Sequence, residues 1–111
     1  MNIETKSYKH CDLIKVIGRV DSSTAPQLGD AIEAITDTGR FRIILDFSEV
    51  DFISSAGLRV LINAQKNCKR YNRGEVILTA VPLNIFSALD LAGFTSLFTI
   101  KEDTLDAVGS F

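Results

Sequence analysis

Two adjacent serines lie where one predicted structural element ends and the next begins. Ser54 and Ser55 follow the apolar stretch 50–53 and precede a helical pattern of apolar residues. A helix N-terminus carries unpaired N–H groups and about half a positive charge. A serine there either caps the helix or presents its hydroxyl to solvent, where phosphorylation would add about −1.5 to −2 charge. From the residues alone both roles stay open, and the helix end would tolerate the added charge.

A second polar cluster precedes another predicted helix. The segment Asp21-Ser22-Ser23-Thr24 consists of residues that favour helix caps, and Pro26 follows in the first turn. Loops at the carboxyl ends of parallel strands gather at one edge of an open sheet. We therefore expect Asp21 to approach Ser55 if the strands before these two loops are parallel neighbours. Asp21 either caps the helix or acts electrostatically at a partner surface, and the two roles can coexist.

The patterns typical of enzymes are weak in this sequence. His10 is the only histidine, so a Ser/His/Asp triad would need it, and we expect it at the opposite edge of the sheet from the serines. Asp46 and Asp51 could hold magnesium as in a phosphotransfer receiver, but the first-strand acidic pair of a receiver is absent. No glycine-rich phosphate loop is present. We expect a binding protein rather than an enzyme, with no metal and no cofactor.

The elements that position these residues can be predicted from hydrophobic periodicity. The run 41–47 is nearly continuous and apolar, which is typical of a strand covered on both faces. The pattern predicts an α/β fold, β-β-α-β-α-β-α-β-α, with a mixed, largely parallel sheet and helices packed on it, in one domain over 1–111. The predicted strands are 2–9, 12–20, 41–47, 75–81 and 96–100. The predicted helices are 25–38, 55–71, 82–91 and 104–108, and 48–57 is predicted as a functional loop. Phe86, Phe94 and Phe98 could form a ligand pocket, but such residues are more often core and are expected there.

Composition narrows the class of partner and the compartment. The net charge is −2 with both signs mixed, and no basic stripe is present, so we expect no direct nucleic-acid partner. No apolar run approaches the roughly 20 residues of a membrane span, and no signal peptide is apparent. Cys11 and Cys68 lack metal or disulfide spacing and fit buried thiols in a reducing compartment. We expect a cytoplasmic protein.

Two sequence motifs surround the predicted starts of the first two helices. The first is Ile44-Leu45-Asp46-Phe47, followed by Val50-Asp51-Phe52-Ile53 and Ser54-Ser55-Ala56-Gly57-Leu58. The second is Gly18-Arg19-Val20-Asp21 with Ser23-Thr24-Ala25-Pro26. Together they resemble the signature of the STAS domain (sulphate transporter and anti-sigma-factor antagonist), and the order of elements agrees with that family over nearly the whole chain.

The resemblance implies an anti-sigma factor antagonist that binds an anti-sigma factor with serine kinase activity and is released by phosphorylation. Aligned on Gly57 and Leu58, the phosphoacceptor is Ser55, and Ser54 is the fallback. The family's antagonists usually have an aspartate before the acceptor and Ser or Thr after it, where this chain has Ser54 and Ala56. ATP would belong to the kinase, and a phosphatase would reset the switch. The implied partner-binding residues are Asp21, Ser22, Ser23, Thr24, Ser54, Ser55, Ala56, Gly57 and Leu58.

Two alternatives remain at this point. A related STAS signalling or scaffold module would bind a partner, lipid or nucleotide without phosphorylation. A small enzyme would use carboxylates as acid and base, and a closed pocket containing Asp21 and Asp46 would favour it.

Overall fold

The computed structural model describes all residues from Met1 to Phe111 and has the predicted order of elements. Two short 3₁₀ turns lie among them, at Arg70–Asn72 and Thr95–Leu97. The strands are β1 (Asn2–Ser7), β2 (Asp12–Val20), β3 (Arg42–Ile53), β4 (Glu75–Thr79) and β5 (Thr99–Lys101). The helices are α1 (Ala25–Thr36), α2 (Ser55–Lys69), α3 (Leu83–Leu91) and α4 (Thr104–Gly109).

The five strands form one sheet in the order β1-β2-β3-β4-β5. Only the β1–β2 pair is antiparallel, because a short turn joins the two strands; the other three pairs are parallel. The predicted mixed, largely parallel sheet is confirmed. Since β2 and β3 are parallel neighbours, their carboxyl ends lie at the same edge, which we call the serine rim.

The two faces of the sheet are covered unequally. Helices α1, α2 and α3 pack on one face and form the main core with inward side chains such as Val16, Leu45 and Phe47. Helix α4 covers part of the other face, where Ala107 packs on Ile44 and Ile77. None of the helices combines the length and the apolar character needed to cross a membrane.

Strand β3 is longer than predicted. The sequence predicts a strand at 41–47 and a loop at 48–57, but β3 continues to Ile53. Its pairing with β2 shifts register twice, between Lys15 and Ile17 and between Gly18 and Arg19. These irregularities break the alternation of buried and exposed residues, so polar residues in the second half of the strand give it the appearance of a loop.

Smaller differences between the predicted and the observed ends of helices and strands also have local causes. Helix α1 ends at Thr36 rather than 38, because the following residues form a turn in which Gly39 has φ +86°. Strand β4 ends at Thr79, and Ala80 has φ +51°, which is incompatible with a strand. The last strand is only Thr99–Lys101, because the preceding residues form a 3₁₀ turn.

The predicted aromatic core is only partly correct. Phe98 is buried and Phe94 is half-buried against the core, whereas Phe86 is 38% exposed on the outer side of α3. Cys11 and Cys68 are both free and buried, as predicted. Burial raises the pKa of the Cys68 thiol to about 11, so this thiol is protonated at neutral pH.

Candidate functional site

The two predicted loops meet at the serine rim. Val20 and Ile53 are paired at the ends of β2 and β3, and the Ser54 N–H donates to the Val20 carbonyl at 2.8 Å. Asp21 follows Val20 directly, so the start of α2 lies beside the turn formed by residues 21–24, which we call the Asp21 turn. The predicted placement of both segments at one edge of the sheet is therefore confirmed, although most of the segment 48–57 is strand or helix and only Ser54 lies between β3 and α2.

The structure gives the two serines different tasks. Ser54 has extended backbone angles (φ −90°, ψ 172°) and is the N-cap of α2, its Oγ accepting from the Gly57 N–H at 3.3 Å. Ser55 is the first residue of the helix and is exposed, and its hydroxyl makes no hydrogen bond within the chain. One hydroxyl is therefore used to start the helix, while the other is available at the surface.

This division predicts different costs for removing the two hydroxyls. Ser54→Ala should lower the free energy of unfolding by about 1 kcal/mol, because the cap is lost. Ser55→Ala should leave it almost unchanged, since alanine suits a helix and no bond is broken. Urea denaturation of both variants measures the difference. Equal losses for the two variants would contradict the assignment of Ser54 as the cap.

Gly57 holds the start of α2 close to the sheet. It is buried, and a Cβ at this position would lie 2.8 Å from side-chain carbons of both Val20 and Ile53. Its neighbours Ala56 and Leu58 are half-buried and pack against the core. The burial of Gly57 supports a packing role that sets the position of Ser55, and its predicted contact with a partner stays a prediction.

The Asp21 turn is built around the aspartate carboxylate. Its Oδ1 accepts from the Ser23 hydroxyl at 2.7 Å and from the N–H groups of Ser23 and Thr24 at 3.0 and 3.1 Å. The hydrogen bond from the Ser23 side chain, with the others in the turn, lowers the pKa of Asp21. The carboxylate is therefore ionised at neutral pH and gives the serine rim a fixed negative charge.

Thr24 and Ser22 behave differently from their neighbours in this turn. Thr24 is the N-cap of α1, but its side chain makes no cap bond, because Oγ1 donates to the Arg19 carbonyl at 2.9 Å. Ser22 is exposed and lines a shallow depression with Ala56 and Arg59. The Asp21 carboxylate therefore binds N–H groups of the turn that precedes α1 and does not cap the helix itself. Ser22 faces the same surface as the start of α2.

Sequence reasoning missed a cation and an aromatic ring on this rim. The Arg19 guanidinium lies over the Phe52 ring at 4.4 Å, and its Nε is 3.9 Å from Asp21 Oδ2. Phe52 is 39% exposed, which is unusual for a phenylalanine. The pairing of these residues across β2 and β3 depends on the shifted register, so no spacing in the sequence indicates it.

The carboxylates and the histidine are not gathered for catalysis. Asp46 lies in the middle of β3, where its Oδ1 accepts from the Ser48 N–H at 2.9 Å and its strand partner is Lys15. It was predicted at a strand end, which is wrong because β3 continues beyond it. His10 lies in the turn between β1 and β2, at the edge opposite the serine rim. No three His, Cys, Asp or Glu side chains are placed to hold a metal ion.

The fold and the site together define a small mixed α/β domain. The Ser55 hydroxyl, the Asp21 carboxylate and the Arg19 guanidinium lie on its serine rim. The chain belongs to the STAS domain family, whose family model matches residues 2–107. The resemblance seen in the sequence is therefore confirmed at the level of the family.

Similar proteins carry related descriptions. BtrV of Bordetella bronchiseptica, a candidate anti-sigma factor antagonist, is 33% identical over 94 residues, covering 85% of this chain and 80% of BtrV. The anti-sigma-B factor antagonist of Listeria monocytogenes is 27% identical over 101 residues, covering 91% of this chain and 87% of that protein.

A solved structure supports the fold. Unphosphorylated SpoIIAA, an anti-sigma factor antagonist, superposes with a TM-score of 0.83 at 14% identity, covering 98% of this chain and 95% of SpoIIAA. SpoIIAA of Bacillus has also been solved in its phosphorylated form, which superposes with a TM-score of 0.76 at 15% identity and covers 98% of each chain.

Proposed function

We propose that this chain is an anti-sigma factor antagonist that binds an anti-sigma factor through the serine rim and is released when Ser55 is phosphorylated. The observation that carries the proposal is the exposed Ser55 hydroxyl, free of hydrogen bonds, at the first residue of α2. The descriptions of BtrV and of the Listeria relative support the antagonist role. The existence of a phosphorylated form of SpoIIAA, a structural neighbour, is consistent with a phosphorylation switch.

Access and geometry favour Ser55 over Ser54 as the acceptor. A kinase must place the acceptor hydroxyl next to the γ-phosphate of ATP, so the hydroxyl has to be reachable without breaking the fold. Ser54 is half-buried, and its oxygen accepts the bond that caps α2. Transfer of phosphate to Ser54 would cost the cap, whereas transfer to Ser55 costs no existing bond.

The fold would accommodate a phosphate on Ser55. Ser55 lies in the first turn of α2, where the helix dipole and free N–H groups favour negative charge. Arg59 is four residues further along the same helix, is exposed and forms no ion pair, so it can approach a group on Ser55. Phosphorylation would therefore change the surface and leave the core intact.

The effect on the partner follows from charge. Asp21 already contributes an ionised carboxylate, and exposed Asp51 lies near the end of β3. A phosphate would add about two negative charges to this side of the molecule. A partner that docks against the neutral Ser55 hydroxyl would then face like charge or a desolvated dianion, which can cost several kcal/mol. The partner is an anti-sigma factor with serine kinase activity, and a phosphatase restores binding.

Mapping of the phosphate tests this assignment. After incubation with an anti-sigma factor kinase of the source cell and ATP, mass spectrometry should find one phosphate, on Ser55. Ser55→Ala should abolish incorporation, and Ser54→Ala, the matched control, should retain it. Phosphate on Ser54 alone, or only outside the pair, would contradict the switch. Stable partner binding without any phosphate transfer would instead indicate the STAS scaffold role.

A further inference from the structure

The edge of the sheet opposite the serine rim has a concentration of positive charge. A hollow of about 250 Å³ lies there between the β1–β2 turn, the segment before β3 and the residues before β4. Four basic side chains of lysine and arginine line it, together with His10 and a single carboxylate, that of Asp12. The cations are Lys9, Arg40, Arg42 and Arg73. This is unusual in a chain whose net charge is −2.

Arg40 is fixed in place and neutralises the only carboxylate. Its Nε donates to Asp12 Oδ2 at 2.5 Å, and its Nη2 donates to the carbonyl oxygens of Tyr8 and Cys11 at 2.6 and 3.0 Å. Asp12 is only 6% exposed, so the carboxylate is enclosed by the group that pairs with it. The remaining cations in the hollow face no other carboxylate of its lining.

Arg73 is held just as firmly on the other side. Its guanidinium stacks on the Phe41 ring at 3.7 Å, and its Nη2 donates to the backbone and side-chain oxygens of Asn67 at 2.6 and 3.0 Å. Its Nε donates to the Arg70 carbonyl at 3.0 Å. Because Nη1 of Arg73 makes no bond, a positioned donor pair remains for an external acceptor.

The other two cations are unpaired. Lys9 and Arg42 are exposed, and neither forms an ion pair within the chain. Arg42 lies opposite Glu75 in the pairing of β3 with β4, but the two side chains form no ion pair, and Glu75 Oε2 accepts from the Thr99 hydroxyl at 3.2 Å. Two guanidinium groups held by hydrogen bonds and two exposed, unpaired cations therefore surround one small polar hollow.

We propose that this hollow binds a small anion carrying two or more phosphate groups, with pyrophosphate as its simplest representative. Guanidinium groups match phosphate oxygens in pairs, and positioned donors lose little entropy on binding. A ligand with a single carboxylate would leave at least two of the three cations that Asp12 does not neutralise unpaired, and a hollow of about 250 Å³ is too small to admit a folded acidic partner. The inference is independent of the proposed switch, because β2 separates the hollow from the serine rim by roughly 26 Å.

Titration of ¹⁵N-labelled protein with pyrophosphate, followed by NMR, tests the proposal. We expect saturable shifts confined to residues 8–12, 39–42 and 73. The double variant Lys9→Ala/Arg42→Ala should weaken binding by about tenfold or more, since it removes two charge-assisted contacts. The matched control Lys66→Ala/Lys69→Ala removes two exposed cations from α2, outside the lining, and should leave the affinity unchanged.

The outcome also identifies the source of the phosphate. Binding to cardiolipin vesicles, in which each headgroup carries two phosphates, would support a lipid headgroup if pyrophosphate displaces the vesicles, whereas binding of pyrophosphate without vesicle binding would support a free anion. Equal weakening in both double variants, equal shifts with sodium sulfate at the same ionic strength, or shifts spread over the whole surface would overturn the proposal, because each indicates only general attraction of anions to cations.

Discussion

Ser55→Asp should weaken the binding of this chain to the proposed anti-sigma factor partner by about a hundredfold, and phosphorylation of Ser55 by about a thousandfold. The side chain at position 55 is exposed at the start of α2, so an added carboxylate would lie directly in the proposed interface. It would add a second negative charge to a rim that already carries the ionised Asp21, and like charge or removal of the new carboxylate from water in the interface is unfavourable. Isothermal titration calorimetry against the purified partner measures the change.

Two control variants distinguish the effect of a charge at position 55 from the effect of a larger side chain there and from the effect of a more negative net charge. Ser55→Asn has nearly the size of the aspartate variant without its charge and should lose much less affinity. Ser7→Asp adds the same charge at the exposed end of β1, near the opposite edge of the sheet, and should bind like the unmodified chain. If Ser55→Asp binds as tightly as the unmodified protein while Ser55 is the mapped acceptor, the phosphate must act by a route other than repulsion at this rim.

Much of the fold could be predicted because the apolar residues that form periodic patterns in the sequence are mostly the residues that are buried in the structure. Strand β2 has the predicted bounds, Asp12–Val20, since its apolar residues are interrupted only by residues on the open face. The second half of β3 could not be predicted, because two register shifts against β2 place charged residues such as Glu49 at strand positions. The Lys15–Glu49 ion pair at 2.7 Å stabilises this irregular part and is visible only once the pairing is known.

The candidate site could be located from sequence but not resolved into roles. Parallel pairing of β2 and β3 was enough to bring Asp21 near the serines. The separate tasks of Ser54 and Ser55 depend on backbone angles at the start of α2, which residue types do not determine. The stacking of Arg19 on Phe52 likewise requires the exact register.

The basic hollow at the opposite edge of the sheet could not be predicted from the sequence either. Its cations are Lys9, Arg40, Arg42 and Arg73, which come from three separate parts of the chain and form no basic run in the sequence. An overall charge of −2 and the absence of a basic stripe in the sequence therefore do not exclude a local concentration of cations formed by folding.

Gly57→Ala should lower the free energy of unfolding by about 1–2 kcal/mol, although alanine normally stabilises a helix. The new Cβ would lie 2.8 Å from carbons of both Val20 and Ile53, closer than carbon atoms approach without displacement. Both neighbours are β-branched residues at the ends of paired strands, so their side chains have little freedom to rotate away. The start of α2 must move outward instead, and urea denaturation measures the cost.

Gly29→Ala provides the matched control, since the same methyl group is added within a helix at a place with room for it. Its Cβ would lie 3.7 Å from the nearest Val60 carbon, an ordinary contact, so this variant should gain up to about 1 kcal/mol. A loss of stability in Gly57→Ala together with a gain in Gly29→Ala would show that close packing, and not backbone freedom, requires glycine at position 57. Because Ser55 lies two residues before it, Gly57→Ala should also weaken partner binding while Gly29→Ala does not. A stabilised Gly57→Ala variant would mean that α2 can shift on the sheet at no cost, and that the position of Ser55 is not set by this contact.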